Sequence, residues 1–313
     1  MKKLPLVKTD IMESSEYHRF YLGVLLQNRS YLEEIYNKQI GLMYNKDTRV
    51  LSSPLDNAYN WYQDTALEIE GFLLGKSWDV IGGKSPDVLP NLIMEKLYDD
   101  YYVKYTGDLF YIKSKPEYGI KHFWSNIYLI GIDDENFIAV GRTKNDSFEE
   151  YVISSDEMIS SVKKRNGVDI YNKYTYSFEL DFYKLKNNLS FSINKDKIKN
   201  QLLKYLNPIK REKYWLGIDV YPVIISEWKE NVINSDQLFF IRDHINLMYK
   251  RIIALNYIID IPEYLIDDYY HLDEKITKLL KYSSIYNKDR IIAIFKDLVI
   301  EEKTILSTLI KII

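Results

Sequence analysis

The chain has no cysteine. That absence removes disulfides, thiolate metal sites and a cysteine nucleophile from consideration, and it fits a reducing compartment. There is also no run of about 20 apolar residues, the length a membrane-spanning helix needs. The apolar stretch 305–313 is short and is broken by Ser307, Thr308 and Lys311. The first residues carry two lysines but no apolar core of signal-peptide length, so a cytoplasmic protein with no membrane partner is expected. Neither sign of charge dominates. The 42 basic and 45 acidic residues leave a net charge of −3, which gives no electrostatic footprint for nucleic acid. Internal repeats and low-complexity segments are lacking too. The four histidines, His18, His122, His244 and His271, include no pair at the helical spacing of a metal-binding HExxH motif. No metal and no cofactor are expected. The run Gly82-Gly83-Lys84-Ser85 has Trp78 where a phosphate-binding loop needs its first glycine, so it reads as a plain loop. Asp133-Asp134-Glu135 lacks the alternating oxygen ligands of a calcium loop and reads as a hairpin turn.

What is present supports a folded chain of two domains. The 313 residues are 46% hydrophobic, enough for a sizeable core. Residues 118–140 form the clearest element. Two strand-like runs, 127–130 and 136–140, rich in β-branched and aromatic residues, flank a Gly-Ile-Asp-Asp-Glu-Asn turn, which predicts a β-hairpin. Before it, apolar residues at helical spacing over 19–44 predict one long helix, or two broken near Asn28-Arg29-Ser30. Residues 87–100 read as a helix. Residues 101–105 and 109–112 read as strands around a Thr106-Gly107-Asp108 turn. Residues 149–153 read as a strand and 155–164 as a short helix, with acidic residues in its first turn where the dipole favours them. A composition shift near Arg165-Asn166-Gly167 places a boundary between lobes 1–165 and 166–313. Beyond it, 174–185 alternates as a strand does, and the polar stretch 184–199 is expected to be exposed. Helices follow over 196–206, 217–230, 236–259, 264–282 and 289–313. On the longest of these, Ile245, Met248 and Ile252 are spaced to face a core. The expected class is α+β.

Candidate chemistry centres on His122, the histidine beside the predicted sheet. A general base needs a nucleophile and an orienting partner within hydrogen-bond reach. Ser125, Ser15 and Asn126 are the available partners, although no motif ties them together. His244 lies on a helix whose other positions are core-like and reads as a structural histidine. Its neighbours Arg242, Asp243 and Arg251 can form local ion pairs.

The early helix 17–44, the helix 92–102 leading to Tyr111, and above all the run KHFWSNIYLIGIDDENFIAV make the chain resemble the butirosin-biosynthesis-protein-H-like family. These are papain-fold relatives of cysteine peptidases, bacterial and encoded beside nonribosomal peptide and other natural-product genes. The resemblance covers mainly residues 15–165, with a looser similarity through 217–221 and 241–252. It implies a papain-like N-terminal lobe with a small antiparallel sheet, followed by a mainly helical lobe. It also implies a cysteine opening the first helix and a histidine starting the hairpin strand. The matching positions here are Arg19 and Ser125, with His122 three residues before the latter. Asp133 or Arg142 would be the orienting group. Arginine stays protonated and cannot serve as a nucleophile. The resemblance therefore implies a catalytically inactive relative, a pseudoenzyme that binds a peptidyl or acyl intermediate or the carrier protein presenting it. Two alternatives stand beside it. One is an acyl or aminoacyl transferase, or a hydrolase, using a serine with His122. The other is an unrelated protein–protein interaction module.

Overall fold

The structure is a computed structural model that describes residues 1–8, 16–28, 30–38, 41–47, 50–52, 73–81, 85–165, 168–169, 177–185, 190–208, 212 and 214–313. Its main elements in chain order are β1 (Lys2–Lys3), α1 (Glu16–Leu25), α2 (Ser30–Lys38), β2 (Met43–Asn45), β3 (Val50–Ser52), β4 (Leu73–Ile81), α3 (Leu89–Tyr98), β5 (Tyr102–Asp108), β6 (Trp124–Asp133), β7 (Asn136–Arg142), β8 (Phe148–Ser154) and α4 (Ser155–Lys163). They continue with β9 (Ser177–Leu185), α5 (Lys195–Leu206), β10 (Tyr214–Leu216), α6 (Val220–Glu230), α7 (Ser235–Asn256), α8 (Glu263–Lys281) and α9 (Lys288–Ile312). The class is α+β, with antiparallel sheet structure and a helical C-terminal region. No described helix is long and apolar enough to cross a membrane.

The chain divides into two compact units, both discontinuous. The first comprises Met1–Lys8, Arg19–Gln27 and Ile69–Leu189. Its sheet is larger than expected, with seven described strands in the order β4-β9-β5-β6-β7-β8 and β1 added to β6. All its pairings are antiparallel. The predicted hairpin is β6–β7, with a two-residue connection Asp134-Glu135 and Asp133 paired to Asn136. Asp134 takes φ 54°, the left-handed conformation that aspartate tolerates in tight turns. The boundary expected at 165 is moved by β9. This strand fills the place between β4 and β5, so the unit runs on to Leu189. A further correction concerns the expected turn at 106–108. The strand β5 passes straight through Thr106 and Gly107, and 109–112, expected as a strand, begins instead with the 3-10 turn Leu109–Tyr111. The Asp108 carboxylate accepts the Phe110 N–H and caps that turn, which ends the strand.

The two faces of this sheet are covered by different helices. On one face α1 lays Phe20 on Tyr128, with centroids 4.5 Å apart, and Tyr21 against Tyr183 at 5.0 Å. Lys104 and Asp181 form a buried ion pair on the same side of the pleat. On the other face lies α4. A Cβ at Gly107 would stand 2.8 Å from the Ser161 hydroxyl of that helix.

The second unit comprises Thr9–His18, Asn28–Glu68 and Ser190–Ile313. Of the two forms expected for the early helical stretch, the structure has the second, two helices separated between Leu25 and Ser30, but after α2 the chain turns into β2 instead of staying helical to Tyr44. That strand pairs with β10 and β3. The rest is helical. Ile245, Met248 and Ile252 are fully buried on α7, as their spacing predicts, whereas Phe239 is 39% exposed. Pro222 sits in the first turn of α6, where a missing N–H costs nothing. Arg242 pairs locally with Asp243 at 2.6 Å. Arg251 takes another role. It is fully buried and its Nε donates to the Tyr36 carbonyl. Burial pulls this guanidinium down to about 9, which leaves it charged at neutral pH. His244 is buried too, with Nε2 3.4 Å from the Glu302 carboxylate. The flank 190–197 of the polar stretch is largely exposed, while 186–189 lie outside the described residues.

Candidate functional site

The best-formed polar constellation in the first unit lies where β5 ends and β6 begins. Between them the segment 109–123 leaves the sheet and returns, closed by the Leu109 N–H donating to the Phe123 carbonyl at 2.9 Å. Asp108 is the centre of this closure. Its Oδ1 accepts the backbone N–H groups of Phe110 and Phe123, at 3.1 and 3.0 Å. Its Oδ2 lies 2.7 Å from His122 Nδ1. The Asp108 side chain is 1% exposed and that of His122 is 29% exposed. The imidazole also stacks on Phe110, with ring centroids 4.2 Å apart and planes 20° off parallel. An ionised carboxylate at Nδ1 holds the proton on that nitrogen and leaves the lone pair on Nε2. Among the described residues no hydrogen bond is made to Nε2. On the same segment Tyr118, Ile120 and Phe123 are exposed, Ile120 by 81%. The ammonium of Lys144 lies 4.8 Å from the Tyr118 ring, and that of Lys121 lies 5.6 Å from the Phe123 ring.

Sequence reasoning singled out His122 and missed its partner. Asp133 and Arg142, the residues expected to orient it, are placed elsewhere. Asp133 ends β6 at the hairpin tip, and Arg142 pairs with the exposed Asp146 at 2.5 Å. The signal for Asp108 lay in the Thr-Gly-Asp run, since an aspartate before a break in pattern favours a side-chain-capped turn. That the cap also reaches a histidine 14 positions on is a tertiary fact that no local pattern carries.

The register separates Arg19 from Ser125. Ser125 pairs with Gly107, and cross-strand partners share a face, so Ser125 is carried on the α4 side. Arg19 lies on the α1 side, its guanidinium 5.5 Å from the Phe148 ring. The residue of β6 that shares the α1 side is Asn126, one position along, which takes a hydrogen bond from Thr106 Oγ1 at 3.0 Å. Arg19 stands over Phe148, Phe20 over Tyr128, and Gln27 just beyond the helix donates to Tyr102. Phe148, Tyr128 and Tyr102 lie on β8, β6 and β5, so α1 crosses the sheet from β8 to β5, with Arg19 over β8 at the level of the start of β6. Ser15 and the Gly82–Lys84 run lie outside the described residues, and nothing is described of the His18 side chain. His271 is exposed on α8, 3.7 Å from Glu274. Among the described residues no group of three or more His, Cys, Asp or Glu side chains is placed to hold a metal ion. No protein-family model matches this chain, and no curated protein matches it.

Proposed function

We propose that this chain is a papain-like protein without the covalent step, acting as a binding or accessory protein in bacterial natural-product assembly. Its ligand would be a peptidyl or acyl intermediate, or the carrier that presents it. One observation supports this reading above others. Arg19 of α1 stands over Phe148 of β8, on the sheet face that also carries Asn126 near the start of the central hairpin, the face on which a helix-borne nucleophile and a strand-borne base would have to meet. Arg19 and Asn126 occupy that face here. Neither can attack a carbonyl, whereas a guanidinium and a carboxamide together suit the oxygen atoms of a bound acyl or phosphate group.

The test is calorimetric titration with non-hydrolysable acyl-pantetheine thioethers. Saturable binding that weakens at least about tenfold in Arg19→Ala, a loss of about 1.4 kcal/mol, is the expected result. Absence of binding across a range of acyl chains, or binding that ignores both Arg19→Ala and Asn126→Ala, would overturn the proposal. The oriented imidazole of His122 favours a second reading, acyl transfer or hydrolysis through a serine. Intact-mass measurement after incubation with an activated acyl thioester separates the two, because only the serine route leaves an acyl adduct.

A further inference from the structure

The geometry points to His122 as a general base that activates water against an acyl ester or thioester held by the exposed apolar side chains of segment 109–123, with Asp108 as its positioning residue. This goes beyond the binding reading and does not depend on it, since it uses neither Arg19 nor Asn126. Three observations carry it. The first is the Asp108–His122 contact at 2.7 Å, which fixes the tautomer and leaves Nε2 as the acceptor. The second is the double fixing of the ring. Phe110 holds one face of the imidazole, and Asp108 is itself pinned by two backbone N–H groups, so Nε2 points in one direction without a cost in side-chain freedom. The third is the surround. Tyr118, Ile120 and Phe123 of the same segment leave apolar surface exposed, with the Lys144 ammonium over the Tyr118 ring and the Lys121 ammonium over the Phe123 ring. That combination suits an apolar acyl chain.

The nucleophile is water. The chain has no cysteine, and Ser125, the serine nearest in sequence, is carried on the α4 side of the sheet. In the step itself, Nε2 accepts a proton from water as the water oxygen forms a bond to the acyl carbon. The carbonyl π pair moves to its oxygen. When that tetrahedral species collapses, the carbon–sulfur bond breaks and the proton on Nε2 passes to the departing sulfur. One thioester and one water give one carboxylic acid and one thiol, with no oxidant, reductant or metal required.

The experiment uses the full chain and S-acyl N-acetylcysteamine thioesters of butyrate, hexanoate and phenylacetate, with thiol release followed colorimetrically. The expected result is saturable hydrolysis with no acyl adduct by intact mass. His122→Gln should lower it by about 100-fold or more, the scale of a lost general base. Asp108→Asn should lower kcat at an unchanged KM, because the imidazole loses the group that positions it. A mere clasp for the segment would raise KM along with any fall in kcat. Phe123→Ala should raise KM for phenylacetate more than for butyrate. Since Asp108→Asn can loosen the segment, His122→Gln is read only with an unchanged melting temperature, and Phe110→Leu provides a second variant that frees the ring while keeping Asp108. Hydrolysis equal to that of free imidazole at the same concentration would overturn the inference. So would an acyl-serine adduct, or a rate unchanged in His122→Gln.

Discussion

Glu302 receives one side chain from each of four other helices in the second unit. Tyr221 of α6 donates to it at 2.7 Å, and Tyr205 of α5 and Tyr269 of α8 donate at 3.2 Å. His244 of α7 approaches to 3.4 Å. The carboxylate is fully buried, so removing it leaves phenolic donors without partners. Glu302→Leu should therefore cost more than Glu302→Gln, by about 1–3 kcal/mol for each donor stranded, as read from urea midpoints. Alkaline pH gives an independent test. Burial first, and then the Glu302 charge, hold the three phenols well above their ordinary range. Above about pH 10 the unfolded chain loses phenolic protons that the folded chain keeps. The unfolded state then binds fewer protons, so stability is full below that pH and falls as pH rises through it. Tyr221→Phe should be less stable than the parent at neutral pH and should lose less on going to pH 11. Arg251 acts in the opposite sense but is common to both proteins, so it cancels in the comparison. An equal loss in the two proteins would remove Tyr221 from the account. From the sequence, His244 was legible as a structural group by its apolar helix, but Glu302 was not. Its neighbours Lys303 and Glu301 are charged, and nothing local marks it as the inward one.

Among elements, the hairpin β6–β7 was legible in kind, because β-branched residues, alternation and turn chemistry agree there, although its strands run longer than expected and its turn is the two residues Asp134-Glu135 rather than six. The attachment of β1 was not. Its two residues pair with β6 at Gly131 and Ile132, beyond the reach of β5, whose last registered partner is Leu129. The fit depends on Gly131. A Cβ at that position would stand 2.4 Å from the Lys2 carbonyl oxygen, a backbone atom that cannot step aside alone. Gly131→Ala should therefore displace β1 and leave the hairpin paired. Hydrogen exchange should show the Leu4 amide, which donates to the Ile130 carbonyl at 2.7 Å, losing protection while the amides of β7 keep theirs. Retained protection at Leu4 would mean that β1 does not need the glycine. The same limit on local pattern explains β5. Thr106-Gly107-Asp108 has turn composition, yet pairing with Ser125 and Asn126 on β6 keeps it extended; tertiary pairing outweighs a weak local preference.

At the scale of the whole molecule, element types were read well and their partition poorly, for one physical reason. Strand identity is written in local alternation, whereas strand order depends on which distant edges meet. The stretch 174–185 was recognised as a strand but assigned to the C-terminal lobe, because the composition changes just before it. In the structure β9 pairs along all nine of its residues with β4, and on its other edge with β5. The second unit likewise draws on early sequence. Asn37 donates to the Ser192 carbonyl and accepts the Asn194 N–H, at 2.8 and 2.7 Å, and β2 supplies the partner of β10. These two facts decide how the chain tolerates being cut. Co-expressed fragments 1–189 and 190–313 keep the first unit's sheet whole, and they can rebuild the second unit by docking α2, β2 and β3 from the first fragment. Fragments 1–165 and 166–313 remove a central strand from the sheet, exposing two strand edges that are covered in the intact chain. The first pair should co-purify as a soluble complex that melts cooperatively, and the second should aggregate or fail to associate. Fragment 190–313 alone should be less stable than in the complex, since Arg251 would lose the Tyr36 carbonyl that meets it and a buried cation without its acceptor is costly. Equal recovery of soluble complex from both cuts would show that β9 is dispensable to the sheet, and the boundary would then belong near residue 165 after all.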